Sequence, residues 1–263
     1  MVSALVVVPV PCLSDNYAYF VGCDRTSECV IVDPSEAEPV LHMGKLAHIA
    51  PRAIWNTHHH LDHTGGNEAV AKHYGLDTVI GHASDRGRIP GQTGFVVAGE
   101  SWKLGELDVS VLHIPGHTLG AIAYVVRSRA GEVALFTGDT MFHAGCGRLF
   151  EGTPAQMHAS LESLASQGDL ARVYPGHEYT VQNLRFAASI EPTNGAVTNA
   201  LHAAEAQRAN GKSTVGTNIG RERETNPFLR TGSPEIRRHL GIDGGADAVT
   251  ALAAIRKAKD AFR

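Results

Sequence analysis

Thr57-His58-His59-His60-Leu61-Asp62-His63-Thr64-Gly65-Gly66-Asn67 is the stretch that decides how this chain is read. It contains His-x-His-x-Asp-His and follows directly on a short apolar run at 53–56 that reads as a strand. In extended backbone alternate side chains point the same way, so His58 and His60 can grip one ion. Asp62 and His63 sit on the turn into a helix and can reach a neighbouring position. Gly65-Gly66-Asn67 opens that helix, and Gly75 is placed to end it.

Three more ligand-type residues follow expected strands, in order. Pro115-Gly116-His117 comes after a strand at 107–114, Gly138-Asp139 after one at 133–136, and Pro175-Gly176-His177 after one at 172–174. Imidazole and carboxylate together suit zinc, iron or manganese. Strand ends hold such groups firmly while one side stays open to substrate. An isolated His-x-His reads most simply as a polar surface, but this ordered set does not. The seven residues exceed what one tetrahedral zinc with an open position takes, and suit two ions sharing one carboxylate.

Further strands are expected at 4–10, 17–21, 29–32 (ending at Asp33-Pro34), 78–80 and 121–126. Thr153-Pro154-Ala155-Gln156 is a helix start with a capping Thr, Pro at the first position and a Gln that reaches back. Met157, Leu161 and Leu164 give that helix one apolar stripe. Beyond 179 the texture changes: 181–190 and 199–209 read as helices, 211–226 as loop, and 249–262 as a final helix. The expected organisation is a mixed α/β domain over 1–178 and a smaller, mainly helical domain over 179–263.

The chain has 263 residues, room for one large domain and a small one. A formal net charge of -4 offers no basic surplus for nucleic acid. The apolar opening is too short to cross a membrane and no Lys or Arg precedes it, so no membrane partner and a cytoplasmic location are expected. Four cysteines without a Cys-x-x-Cys pair suit a reducing compartment. A monomer is expected.

The motif Thr57–Asn67 with His117, Asp139 and His177 resembles the metallo-β-lactamase superfamily. That resemblance implies α/β architecture as a four-layer αβ/βα sandwich. It also implies that His58, His60 and His117 hold one divalent ion, Asp62, His63 and His177 a second, and Asp139 bridges them. Zinc is the first expectation for both ions, with iron or manganese also suited. Four further stretches narrow the resemblance: the motif with its preceding Ile54-Trp55-Asn56, GDTMFHAGCGRLFEGT from Gly138, PGHEYT from Pro175, and TNPFLR from Thr225 with AIRKAKDAF from Ala254. These resemble the hydroxyacylglutathione hydrolase (glyoxalase II) family over essentially the whole chain.

Membership would imply hydrolysis of S-(2-hydroxyacyl)glutathione, typically S-D-lactoylglutathione, to glutathione and a hydroxy acid, a step of methylglyoxal detoxification. A water acidified between the two ions would attack the thioester, with Asp62 orienting it as well as ligating. Arg148, Tyr179, Arg256 and Lys259 fall where the family contacts glutathione, the last two at its glycine carboxylate. Phe150 departs from the pattern, because some members carry a tyrosine there. From spacing alone, Arg256 and Lys259 read as a solvated helix face with Arg256 paired to Asp260. His59 reads as support or surface, His143, Cys146 and His113 as packing, and Asn16 and Tyr17 as loop support. The rival readings are a mononuclear-iron persulfide dioxygenase, a lactonase or β-lactamase, and a binding module without turnover.

Overall fold

The computed structural model describes residues 4–262, which fall into two compact units. The first runs to His113 and adds Gly120–Gly138 and Pro175–His177. Its opening strands β1 (Leu5–Cys12) and β2 (Asn16–Cys23) pair antiparallel, and β3 (Cys29–Val32) pairs antiparallel with β2. After helix α1 (Ala37–Ala47) come β4 (Ile54–Trp55), α2 (Leu61–Thr64), α3 (Asn67–Tyr74), β5 (Val79–His82) and β6 (Gly94–Val96). Strands β3 to β6 are parallel neighbours, so the first sheet has the order β1-β2-β3-β4-β5-β6. Strands β7 (Ser101–Leu104), β8 (Leu107–His113), β9 (Ile122–Arg127) and β10 (Val133–Gly138) form a consecutive antiparallel run.

Val40 of α1 and Val70 of α3 pack with Phe20, Ile31, Ile54 and Val79 on one face of the first sheet. On its other face Trp55 stacks on Tyr124 of β9 at 4.9 Å and meets Trp102 of β7 edge-on at 5.4 Å. Tyr19 likewise meets Phe136 of β10 at 5.6 Å. Burial on both faces explains why β3 reads as an unbroken apolar run rather than an alternating one. Gly75 ends α3 in the left-handed region, as its position foretells.

The second unit comprises Ile114–Leu119, Asp139–Tyr174 and the chain from Glu178. It holds β11 (Met141–Phe142) paired with β12 (Gly145–Cys146), helix α4 (Pro154–Ala165) and β13 (Arg172–Pro175). Then follow α5 (Thr180–Ile190), α6 (Gly195–Ala209), β14 (Thr217–Asn218), α7 (Ile219–Thr225), α8 (Pro234–Leu240) and α9 (Ala248–Ala261). The capping box at Thr153 and Gln156 is formed, and Met157, Leu161 and Leu164 are all buried.

Two sequence expectations need correction. The second tail helix begins at Gly195 rather than 199, because the Asn194 side chain caps it by accepting from Ala196 and Val197 N–H. The stretch 211–226 is not all loop, since β14 and α7 lie within it. Helix α7 buries Ile219, Glu222 and Thr225, so its inward face is largely polar and shows no apolar stripe.

Candidate metal centre

Each ligand-type residue stands just past a strand or on the first turn of a helix. His58 follows β4 by two residues, Asp62 and His63 belong to the single turn α2, and His177 follows β13. In the second unit His117 and Asp139 both come straight after a glycine. The glycines are required. At Gly138 φ is +48° and an added Cβ would lie 2.3 Å from the Thr57 hydroxyl. At Gly116 φ is +155° and a Cβ would lie 2.9–3.0 Å from Met157.

The hydrogen-bond partners fix which imidazole nitrogen is available. Asp33, buried at the end of β3, accepts from Thr57 N (2.8 Å) and from the Thr57 hydroxyl (2.6 Å). Its Oδ2 also lies 3.2 Å from His63 Nδ1. Because Thr57 Oγ1 donates to Asp33, it accepts from His58 Nδ1 at 3.1 Å. His177 Nδ1 donates to Asp15 Oδ1 at 2.8 Å, and His117 Nδ1 to the Arg148 carbonyl at 2.9 Å. In all four rings Nδ1 carries the proton, so the Nε2 lone pair is the one offered to an ion.

Within each unit the donor atoms stand at metal-binding spacing. Tetrahedral zinc with bonds of about 2.0–2.1 Å separates its donors by about 3.3 Å. His58 Nε2 lies 3.2 Å from His60 Nδ1. Asp62 Oδ2 lies 3.6 Å from His63 Nε2 and 3.4 Å from His177 Nε2. In the second unit His117 Nε2 lies 3.4 Å from Asp139 Oδ2. The donor spacing and chemistry therefore fit divalent metal ions. Asn16, suspected only of loop support, donates from Nδ2 to the Asp62 carbonyl (2.9 Å) and to Asp62 Oδ2 (3.2 Å).

The expected substrate residues lie in the second unit, and two of them share one carboxylate. Asp260 lies 3.0 Å from Arg256 and 3.9 Å from Arg148. Arg256 also donates to the Cys146 carbonyl at 2.7 Å and is only 7% exposed. The Arg256–Asp260 pair is thus present, but Arg256 itself is buried against β12 while Asp260 stays exposed. Lys259 is half-buried, donates to the Gln182 carbonyl at 3.3 Å and lies over the Phe186 and Phe262 rings. Burial and the nearby Arg256 push its ammonium down to a pKa of about 8. Tyr179 immediately precedes α5, with its ring 5.2 Å from that of Phe142. Phe150 is 63% exposed, its ring 5.2 Å from that of His117.

Asp15 and Asp33 belong to none of the ligand motifs in the sequence. Asp33 carried a usable signal, a carboxylate at a strand end like the ligands themselves. His143 and Cys146 are buried, His143 3.7 Å from Glu222 and Cys146 beneath Arg256, as packing residues would be. His113 stacks on His82.

The model of the metallo-beta-lactamase superfamily matches residues 14–177, which sets the class. The model of the hydroxyacylglutathione hydrolase C-terminus matches residues 178–262. A relative from Synechococcus sp. (strain JA-2-3B'a(2-13)), named hydroxyacylglutathione hydrolase, is 45% identical over 97% of this chain and 99% of its own. One of the same name from Rhodospirillum rubrum is 44% identical over 99% and 100%. The solved structure of TTHA1623 in a di-iron-bound form is 26% identical, with a TM-score of 0.58, over 85% of this chain and all of its own. This chain belongs to the hydroxyacylglutathione hydrolase family of the metallo-β-lactamase superfamily. The α/β fold with a helical C-terminal portion is that of the family.

Proposed function

We propose that this chain hydrolyses S-(2-hydroxyacyl)glutathione thioesters, S-D-lactoylglutathione foremost, to glutathione and a 2-hydroxy acid. The observation that carries the reading is the set of four imidazoles with Nδ1 occupied and Nε2 offered, in a chain 45% identical to a hydroxyacylglutathione hydrolase. His58, His60 and His117 are assigned to one divalent ion, Asp62, His63 and His177 to a second, and Asp139 to both. The di-iron form of a 26% identical protein supports two positions. Such ions supply an acidified water and polarise a thioester carbonyl.

The protein's own groups do the positioning. Asn16 holds Asp62 by two hydrogen bonds, fixing the carboxylate that orients the attacking water. A thiol of pKa about 8.5 leaves as thiolate, so no acid need be supplied. Arg148, Tyr179, Arg256 and Lys259 are assigned to glutathione, the last two to its glycine carboxylate. The division of labour is catalysis in 1–178 and thiol-carrier binding in 179–263, supported by family models that meet at 177 and 178. A monomer in the cytoplasm completes the proposal. No helix among the described residues is long and apolar enough to cross a membrane.

Elemental analysis of well-folded protein should find close to two divalent ions per chain, zinc first with iron or manganese according to the medium. A single tightly held ion would contradict the binuclear assignment.

The Lys259 pKa gives a pH test. It is lowered to about 8, so the ammonium is present below that pH and lost as pH rises through it. Contacts to the glycine carboxylate act equally on ground and transition states, so they enter KM rather than kcat. KM should rise by about 5- to 10-fold between pH 7 and pH 9.5, in line with the modest value of a partly screened charged contact. Lys259→Ala should flatten that dependence. A wild-type KM that is level across this range would remove Lys259 from the carboxylate site.

A further inference from the structure

His59 stands between two metal-binding residues and takes no part in the chemistry described so far. Its ring meets that of His60 edge-on at 4.8 Å and lies 6.4 Å from that of His58. Nδ1 lies 3.3 Å from Oδ1 of Asp85, and Nε2 takes a hydrogen bond from the Arg88 guanidinium. An arginine cannot accept, so Nε2 is the accepting nitrogen and Nδ1, on the side where Asp85 lies, carries the ring proton. The order is therefore carboxylate, imidazole, guanidinium, with His59 in one defined tautomer.

Asp85 is the unusual member. It ends the 3-10 turn Ala83–Asp85 after β5 and is fully buried. Neither carboxylate oxygen has a hydrogen bond of normal geometry among the described residues. A buried carboxylate needs a charge or donor to offset the loss of water. Here those are the His59 N–H and the Arg88 guanidinium, the latter 3.6 Å from Oδ1 and half exposed. Gly120 closes the other side, where an added Cβ would lie 2.4–2.5 Å from the Asp85 carboxylate atoms. The shape of the pocket thus holds the carboxylate against His59.

We infer that Asp85, through His59, is a positioning residue for the first metal position. The backbone joins His59 to both His58 and His60, and its ring packs edge-on against that of His60, so fixing His59 fixes the angle at which its neighbours face each other. Their donor nitrogens stand 3.2 Å apart, the spacing one ion requires. This rests on the proposed metal reading, and it adds a buried carboxylate that touches no ion and no ligand side chain.

The test is Zn²⁺ affinity by chelator competition, with the visible spectrum of the Co²⁺-substituted protein, for wild type, Asp85→Asn, His59→Gln and Gly120→Ala. Circular dichroism and melting of the metal-free proteins check the fold. Gly120→Ala displaces Asp85 by volume without altering any charge, so it guards against a misleading result from either polar variant. Supporting partners of metal ligands change affinity by 10–100-fold, and a group one step further out should change it by about tenfold. Expected are Zn²⁺ affinity lower by about tenfold in all three variants and altered Co²⁺ bands, with the metal-free melting temperature little changed. Wild-type Zn²⁺ affinity and an unaltered Co²⁺ spectrum in the variants would overturn the inference and leave the metal reading intact. If wild type itself held no Zn²⁺, both would fall together.

Discussion

Asp139→Ala is expected to release most of the metal from both positions and to lower kcat/KM on a glutathione thioester by about 10³-fold or more. Asp139 is the one carboxylate assigned to both ions, and its Oδ2 already stands 3.4 Å from His117 Nε2. On that assignment its removal would take a ligand from each position and a negative charge from the site. Metal activation supplies several kcal/mol of transition-state stabilisation, and each 1.36 kcal/mol is tenfold in rate, which gives the size of the loss. Elemental analysis and steady-state kinetics on the same preparation check it. One ion retained at full occupancy, with activity, would show that Asp139 bridges nothing.

The second large effect is expected at a residue that touches no ion. Asp33→Asn replaces a carboxylate taking two hydrogen bonds from Thr57, with His63 Nδ1 3.2 Å from the same Oδ2. Asparagine has one acceptor oxygen, so its amide N–H₂ must face a donor on one side. If it faces His63, that ring must move its proton to Nε2, the nitrogen meant for metal. Hydrogen bonds to charged groups contribute about 1.5–3 kcal/mol each. Stability should fall by about 2–5 kcal/mol, and Zn²⁺ affinity by about 10–100-fold. Denaturant unfolding with chelator present reads the first and metal competition the second. Loss of stability with unchanged affinity would mean that Asp33 serves the fold alone.

Much of the architecture was legible because its signals are local. The Thr153 capping box, the Gly75 helix end and the apolar runs of β1 to β3 and β8 to β10 each depend on neighbours within a few residues. The candidate ligands stood out in the sequence for a related reason. Backbone that turns sharply after a strand needs glycine, so Gly116-His117 and Gly138-Asp139 announce themselves. What could not be read is what depends on distant partners. Asp15, Asp33 and Asp85 are ordinary acidic residues in sequence, and only the fold brings them to His177, His63 and His59. Helix α7 was missed because Glu222 and Thr225 are buried polar residues, which periodicity treats as surface. The burial of Arg256 was hidden likewise, since β12 covers it from 110 residues away.

Turnover of S-D-lactoylglutathione by the metal-loaded chain, compared with that of a β-lactam and a simple lactone, is the deciding measurement. Hydrolysis releases a free thiol, so a thiol-reactive dye reads the thioester reaction continuously. The donor set alone would serve several chemistries, whereas Arg148, Tyr179, Arg256 and Lys259 are assigned to one carrier. The predicted result is kcat/KM of at least about 10⁴ M⁻¹s⁻¹ on the thioester, within the ordinary range for an enzyme on its own substrate. The other two substrates should be at least about 100-fold poorer. Comparable kcat/KM on all three, or none on the thioester by protein carrying its full complement of metal, would contradict the assignment.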